Sequence, residues 1–232
     1  MTIAAVSIIM AVRNAERYLA RALDSIAAQT FRDYEVVIVD GNSSDGSLKI
    51  ARSYPQVRCL QQAGDGFTGA WNEGLDGSKG PFVAFLDSDD IWPAGKLATQ
   101  MSYFAAHPDT DCVVGRVRFF LEPGVSPPPG FRPMLLDGSH IAYIPGVSMV
   151  RREVFSRIGN FEERWTSTSD LVWFAKMREL GMRIGVIDDV LLDKRVHGGN
   201  LTYTTPKATY QGELTRLLKE SLDRRRTRGN LS

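Results

Sequence analysis

Histidine and cysteine are scarce in this chain of 232 residues, with three of the first and two of the second. Cys59 and Cys112 lie far apart and lack the paired spacing of a zinc or redox motif. They read as two reduced core thiols of a cytosolic protein. An excess of charge is also missing. Lys and Arg total 28 against 27 Asp and Glu, so the net charge is +1 and no global field points to nucleic acid. A long hydrophobic run is absent too. The first apolar stretch, MTIAAVSIIMAV, stops at Arg13 and has no basic segment before it. It is too short for a bilayer span and reads as a buried strand.

Alternation of strand and helix patterns fills the first half. AVSIIMA (5–11), YEVVIVD (34–40), VRCLQ (57–61) and GPFVAFLD (80–87) read as strands. The first, second and fourth are continuous apolar runs, as in parallel strands covered on both faces. Asn14 is a candidate cap for a helix through Leu19, Leu23 and Ile26. A short helix is expected around Leu48–Ser53. Another is expected to open at Pro93, with Leu97, Met101 and Phe104 on one face. This order predicts an α/β fold, an open and mostly parallel doubly wound sheet with helices on both faces.

The second half is less regular. CVVGRVRFFLE reads as a strand, EPGVSPPPGFRP as a Pro/Gly-rich loop, and AYIPGVSMV as a strand broken at Pro145-Gly146. A helix is expected over Asp170–Leu180, then two short strands, RIGVIDD and VLLDKRV. Tyr210–Arg226 has Leu214, Leu217, Leu218 and Leu222 in helical phase.

The chemistry gathers where strands end. Asp40 closes the second strand; Asp87, Asp89 and Asp90 follow the fourth. In open α/β sheets ligands bind outside the carboxyl ends of the strands. Carboxylates one residue apart repel each other, and a divalent cation with oxygen ligands removes the repulsion. A calcium loop of the helix–loop–helix type is excluded, because Trp92 and Ala98 stand where it needs Gly and an acid. The plain alternative is a polar turn capping the Pro93 helix.

Together, VSIIMAVRNAERYLARALDSIAAQTFRDYEVVIVDGNSSDGS and GAWNEGLDGSKGPFVAFLDSDD resemble the family 2 glycosyltransferases of the GT-A fold. The resemblance is close over residues 5–104 and looser through IPGVSMVRREVFSRIGNFEERW, SDLVWFAKMRELG and KRVHGGNLT. It implies a single Rossmann-like domain, a nucleotide-sugar donor, a divalent metal (Mn²⁺ or Mg²⁺) and transfer with inversion. Residues 1–108 would form the nucleotide-sugar-binding half, 109–206 the acceptor-binding and catalytic half, and 207–232 an amphipathic helix with a basic tail.

Residue by residue, the acid–X–acid motif matches Asp87-Ser88-Asp89. It places Asp87 and Ser88 on the donor and Asp89 on the metal. Ala11, Val12, Arg13 and Asp40 match the nucleobase end, and Gly69, Trp71 and Asn72 flank the donor pocket. Asp170 matches the general base, and His197, after Arg195, a residue that in some relatives helps hold the metal. Two positions depart from the pattern: Gly41 where many relatives have a second acid, and Ser169 where many have Glu.

The resemblance favours a UDP-sugar as donor and a glycan or lipid-linked molecule as acceptor. Peripheral membrane contact through the basic C-terminal helix is one reading of Arg216, Lys219, Arg224, Arg225, Arg226 and Arg228; packing on the domain or in a homodimer is the other. The rival functions are a non-catalytic sugar-nucleotide-binding protein and, more weakly, a nucleotidyltransferase. The latter would need a Gly-rich basic loop, which AVRNAERY is not.

Overall fold

VSIIMAV holds one hydroxyl among seven residues, so neither of its faces can be left to water. It forms β1 (Val6–Val12), buried at every position. Its one polar side chain, Ser7, donates to Glu35 Oε1 at 2.7 Å. The computed structural model describes residues 3–229, and from residue 225 onward the backbone alone.

On one side β1 pairs in parallel with β2 (Tyr34–Asp40), and β3 (Val57–Gln61) lies beyond it. On the other side lies β4 (Phe82–Phe85), also parallel. The sheet continues through β7 (Met149–Arg151), β5 (Cys112–Phe120) and β6 (His140–Ala142). The β4–β7, β7–β5 and β5–β6 pairs are antiparallel, while β8 (Ile184–Arg195) runs parallel to β5. The fold is α/β with a mostly parallel central sheet. Strand order reverses between β1 and β4, which opens a crevice outside their carboxyl ends.

The helices are α1 (Leu19–Ala27), α2 (Ser47–Arg52), α3 (Phe67–Asp76), α4 (Lys96–Ala106), α5 (Arg152–Ile158), α6 (Ser169–Glu179), α7 (Leu201–Thr204) and α8 (Lys207–Gly229). Among the described residues no helix is long and apolar enough to cross a membrane.

Four expectations change. Asn14 does not cap α1: it sits at φ +49°, and its side-chain oxygen accepts the Ser44 N–H at 2.8 Å. It is spent on the loop after β2, so α1 opens five residues later. Pro93 precedes α4 by three residues, the helix following Gly95. RIGVIDD and VLLDKRV are one strand, β8, whose register against β5 shifts near Arg116. The acids that seemed to divide it are carried there; the Asp188 side chain is 86% exposed. Finally, α3 was not anticipated, because Gly69 and Gly74 mask its pattern. A Cβ at Gly74 would fall 2.4 Å from Ile9 Cγ2, so glycine lets the helix lie on β1.

Polar contacts hold α8 to the domain. Arg164 grips Glu220 through both terminal nitrogens, at 3.0 and 2.9 Å. Arg216 lies over the Trp165 ring and Arg224 pairs with Glu179, so two of the six basic residues turn inward onto the domain. Leu214 and Leu217 are half-buried, Leu218 and Leu222 exposed. Arg225, Arg226 and Arg228 lie outside the described side chains.

Lys96 opens α4 and is 1% exposed. Its ammonium donates to Gln100 Oε1 at 2.6 Å and lies 4.2 Å from the Trp92 ring centre, both neutral partners. Burial therefore pulls it from 10.5 down to about 7. Between these values the unfolded chain binds more protons than the folded one, so stability rises with pH. Urea unfolding should show a gain of about 1 kcal/mol per pH unit from pH 7 to 8.5. Lys96→Met should flatten that slope; equal slopes in the two proteins would refute the assignment.

Candidate active site

The crevice at the sheet's reversal is a cleft of about 640 Å³. Ala11, Val12 and Arg13 form its edge at the end of β1, with Gly41 and Gln62 beside them and Trp71 from α3. Asp87, Ser88 and Asp89 enter after β4, Asp170 from α6, and Lys194 and His197 from the end of β8. Nine of the twelve candidate residues thus meet in one space.

Asp40, Gly69 and Asn72 do not line it. Asp40 is 2% exposed; its Oδ2 accepts the Ser43 N–H at 3.2 Å, and its Oδ1 is buried without a partner. Asn72 donates to Phe161 O at 2.8 Å and accepts the Phe161 N–H at 3.1 Å, tying the loop before α6 to α3. Gly69 faces Gln62 and Glu163.

The ladder of β4 ends at Leu86, whose N–H reaches Ile9 O, and the chain turns with Asp90 N–H bonded to Asp87 O. Asp87, Asp89 and Asp90 each place a carboxylate oxygen within 4.8 Å of the others. Their tasks differ. Asp90 is fully buried, and its oxygens take the Lys194 ammonium at 2.8 Å and the Arg195 N–H at 2.9 Å. Asp87 and Asp89 are only partly covered and face the cleft. Lys194 also donates to Asp87 at 3.3 Å. Burial alone would lower this lysine, and the three carboxylates overturn that and raise it.

Asp89 Oδ2 receives His197 Nε2 and Asn200 Nδ2, both at 3.0 Å. Burial works to raise this carboxyl, but the His197 hydrogen bond and the Lys194 charge bring it below its ordinary value. The Gly199 N–H donates to His197 Nδ1 at 3.1 Å, which leaves Nε2 as the donor to Asp89. Arg195 does not line the cleft. It is buried between the Tyr18 and Phe120 rings, pairs with Glu122, and donates to Asp89 O at 2.8 Å.

The acid pair fits a divalent cation. Its donors are hard oxygens open to the cleft, and one ammonium set against three carboxylates leaves negative charge unbalanced.

Asp170 stands in the first turn of α6, its Oδ1 accepting the Leu171 N–H at 2.8 Å. Burial, helped by the Asp87 charge, raises it from 3.8 to about 6. Two carboxylates in one cleft, Asp89 and Asp170, are thus pushed in opposite directions.

Reading the sequence missed Lys194, Asp90's partnership with it, and Asn200. Lys194 and Asp90 are 104 positions apart, and the antiparallel bridge between Ile91 and Asp193 helps bring them together.

Similarity to known proteins agrees with this geometry. An uncharacterised glycosyltransferase of a Nostoc strain is 38% identical over 115 residues, 47% of this chain and 34% of that protein. An Escherichia coli UDP-Glc:α-D-GlcNAc-diphosphoundecaprenol β-1,3-glucosyltransferase is 40% identical over 100 residues, 42% of this chain and 40% of its own. The chain therefore spans well under half of either relative. Among solved structures, residues 1–349 of TarS from S. aureus with UDP-GlcNAc share the fold, with a TM-score of 0.70 at 23% identity, covering 87% of this chain and 61% of that one. Residues 7–159 match the family model described as Glycosyl transferase family 2, and the chain belongs to that family.

Proposed function

We propose that this chain is a metal-dependent, inverting glycosyltransferase. It moves a sugar from a nucleoside diphosphate sugar, with UDP-sugars favoured, to an acceptor hydroxyl in glycan or polysaccharide synthesis. The observation that carries the reading is the shared cleft of an acid pair, Asp87 and Asp89, and a carboxyl raised to about 6, Asp170.

The nucleobase lies toward Ala11, Val12 and Arg13, with Asp40 buried behind them. A Cβ at Gly41 would come 3.0 Å from Gln62 Oε1, so Gln62 fills the room where many relatives carry an acid. Trp71 backs the donor pocket; Gly69 and Asn72 support that wall from behind. Asp87 and Ser88 face the donor sugar and diphosphate. Asp89, with His197 beside it, and Asp87 would hold Mn²⁺ or Mg²⁺, whose charge offsets that of the departing diphosphate.

Asp170 takes the proton of the acceptor hydroxyl while the hydroxyl oxygen bonds to the anomeric carbon. The bond to the diphosphate breaks on the opposite face, and nucleoside diphosphate leaves. A carboxylate near 6 is a stronger base than one at 3.8 and is still ionised at neutral pH. The acceptor is a glycan or lipid-linked hydroxyl, and the names of the relatives favour a uridine nucleotide.

A melting screen of uridine, guanosine, thymidine and adenosine diphosphate sugars with Mn²⁺ identifies the donor; a uridine compound that shifts Tm no more than an adenosine one removes the UDP preference. Asp89→Ala should abolish the Mn²⁺-dependent part of UDP binding in calorimetry while the melting curve stays cooperative. Binding that still strengthens with Mn²⁺ in the variant would place the metal elsewhere.

Asp170→Asn should keep UDP affinity and slow UDP release from the selected donor by ~10²-fold or more. Because a protonated base accepts nothing, kcat/KM of the unmutated chain should fall as pH drops through about 6. A profile flat down to pH 5, or an unimpaired Asp170→Asn, makes this residue structural.

A further inference from the structure

Glu213 sits on α8, outside the 7–159 span of the family match. Its carboxylate accepts five hydrogen bonds from three consecutive residues. Thr166 gives its N–H and hydroxyl, each at 2.8 Å; Ser167 gives its N–H at 3.1 Å and hydroxyl at 2.8 Å; Thr168 gives its hydroxyl at 2.9 Å. These residues form the entry to α6, and Asp170 follows two positions later. Thr166 and Ser167 line the cleft, and so does Tyr210, one turn before Glu213 on the same helix.

The entry is packed on its inner side, where Trp165 and Thr168 are fully buried, and its polar groups turn toward α8. Thr168 is the residue at the head of α6, but its hydroxyl is not used to cap that helix; it goes to Glu213 instead. On the other side Ser169 Oγ receives the Thr68 hydroxyl at 3.1 Å. Glu213 is thus the counterpart that closes the loop from the α8 side. Two N–H and three O–H donors from three consecutive residues converge on this one carboxylate. They keep the group ionised: burial opposes this, and the donors bring the carboxyl down to about 2.

We propose that Glu213 is a positioning residue for the reaction, holding the Thr166–Thr168 loop so that Asp170 faces the acceptor. The inference rests on the reading of Asp170 as the base. The C-terminal helix is then part of the catalytic unit, contributing one wall of the acceptor side through Tyr210 and the placement of the base through Glu213.

The test uses the full chain, Mn²⁺ and the nucleotide sugar selected by the melting screen, with water as the acceptor and UDP (or the matching diphosphate) release as the readout. Glu213→Ala should lower kcat by ~10-fold or more with nucleotide affinity in calorimetry unchanged within about twofold, the scale expected when a reacting group is misplaced. Glu213→Gln, which keeps the shape and one accepting oxygen, should fall between the two. It also serves as the readable variant if Glu213→Ala does not fold. The double variant with Asp170→Asn should be no slower than Asp170→Asn alone, because the two act through one group.

Additive losses in the double variant, or an undiminished kcat in both Glu213 variants, would overturn the proposal. So would a loss of nucleotide affinity equal to the loss of rate. If instead Asp170→Asn itself retains full turnover, the reading of the base fails, and this inference falls with it. An impaired Asp170→Asn beside an unimpaired Glu213→Ala refutes the positioning role alone.

Discussion

Lys194 carries its ammonium into the acid turn, 2.8 Å from Asp90 and 3.3 Å from Asp87, and the architecture of the cleft depends on that contact. Three carboxylates crowded after β4 would drive each other apart in a partly buried turn. One half-buried cation among them makes the turn tenable and leaves it negative. The same pair fixes β8, since Asp90 also takes the Arg195 N–H at 2.9 Å. Removing Lys194 would leave the fully buried Asp90 without its cation, the costly outcome for such pairs.

That pinning propagates outward. With the end of β8 fixed, Arg195 reaches Asp89 O, and the turn after it brings His197 and Asn200 onto the Asp89 carboxylate. Glu122, at the start of the Pro/Gly-rich loop, closes on Arg195 and Arg21. The Pro/Gly-rich loop is therefore anchored at its first acid. From the other side, Asn72 ties the loop before α6 to α3, and α3 lies on β1 through the close approach at Gly74. Both walls of the cleft trace back to the central strands.

How much of this could be read in advance follows from the range of the forces involved. β1, β2 and β4 were legible because a strand covered on both faces has to be apolar throughout, a property local to seven or fewer residues. The strand-end acids were legible because charge at that place has few structural uses. β8 was divided in error because Asp188 and Asp189 break its apolar pattern, though they sit where the register slips and reach solvent. Asn14 looked like a cap because its local context is that of one; its actual partner, Ser44, is thirty residues away. Lys194 and Glu213 had no local signature. Each is an ordinary charged residue until tertiary structure brings distant donors or acceptors around it.

The separation of roles inside the cleft comes from surroundings rather than residue type. Asp87, Asp89, Asp90 and Asp170 are chemically identical, and burial pushes all four upward. Asp89 alone gains enough from His197 and Lys194 to end below its ordinary value, as the proposed role of metal ligand requires. Asp170 accepts one backbone N–H and has a like charge nearby, so burial leaves its carboxyl raised, as the proposed role of base requires. Asp90 is spent on holding the fold. In the proposed mechanism a single residue type thus supplies ligand, base and brace, and what distinguishes them is which cation or donor the fold carries to each.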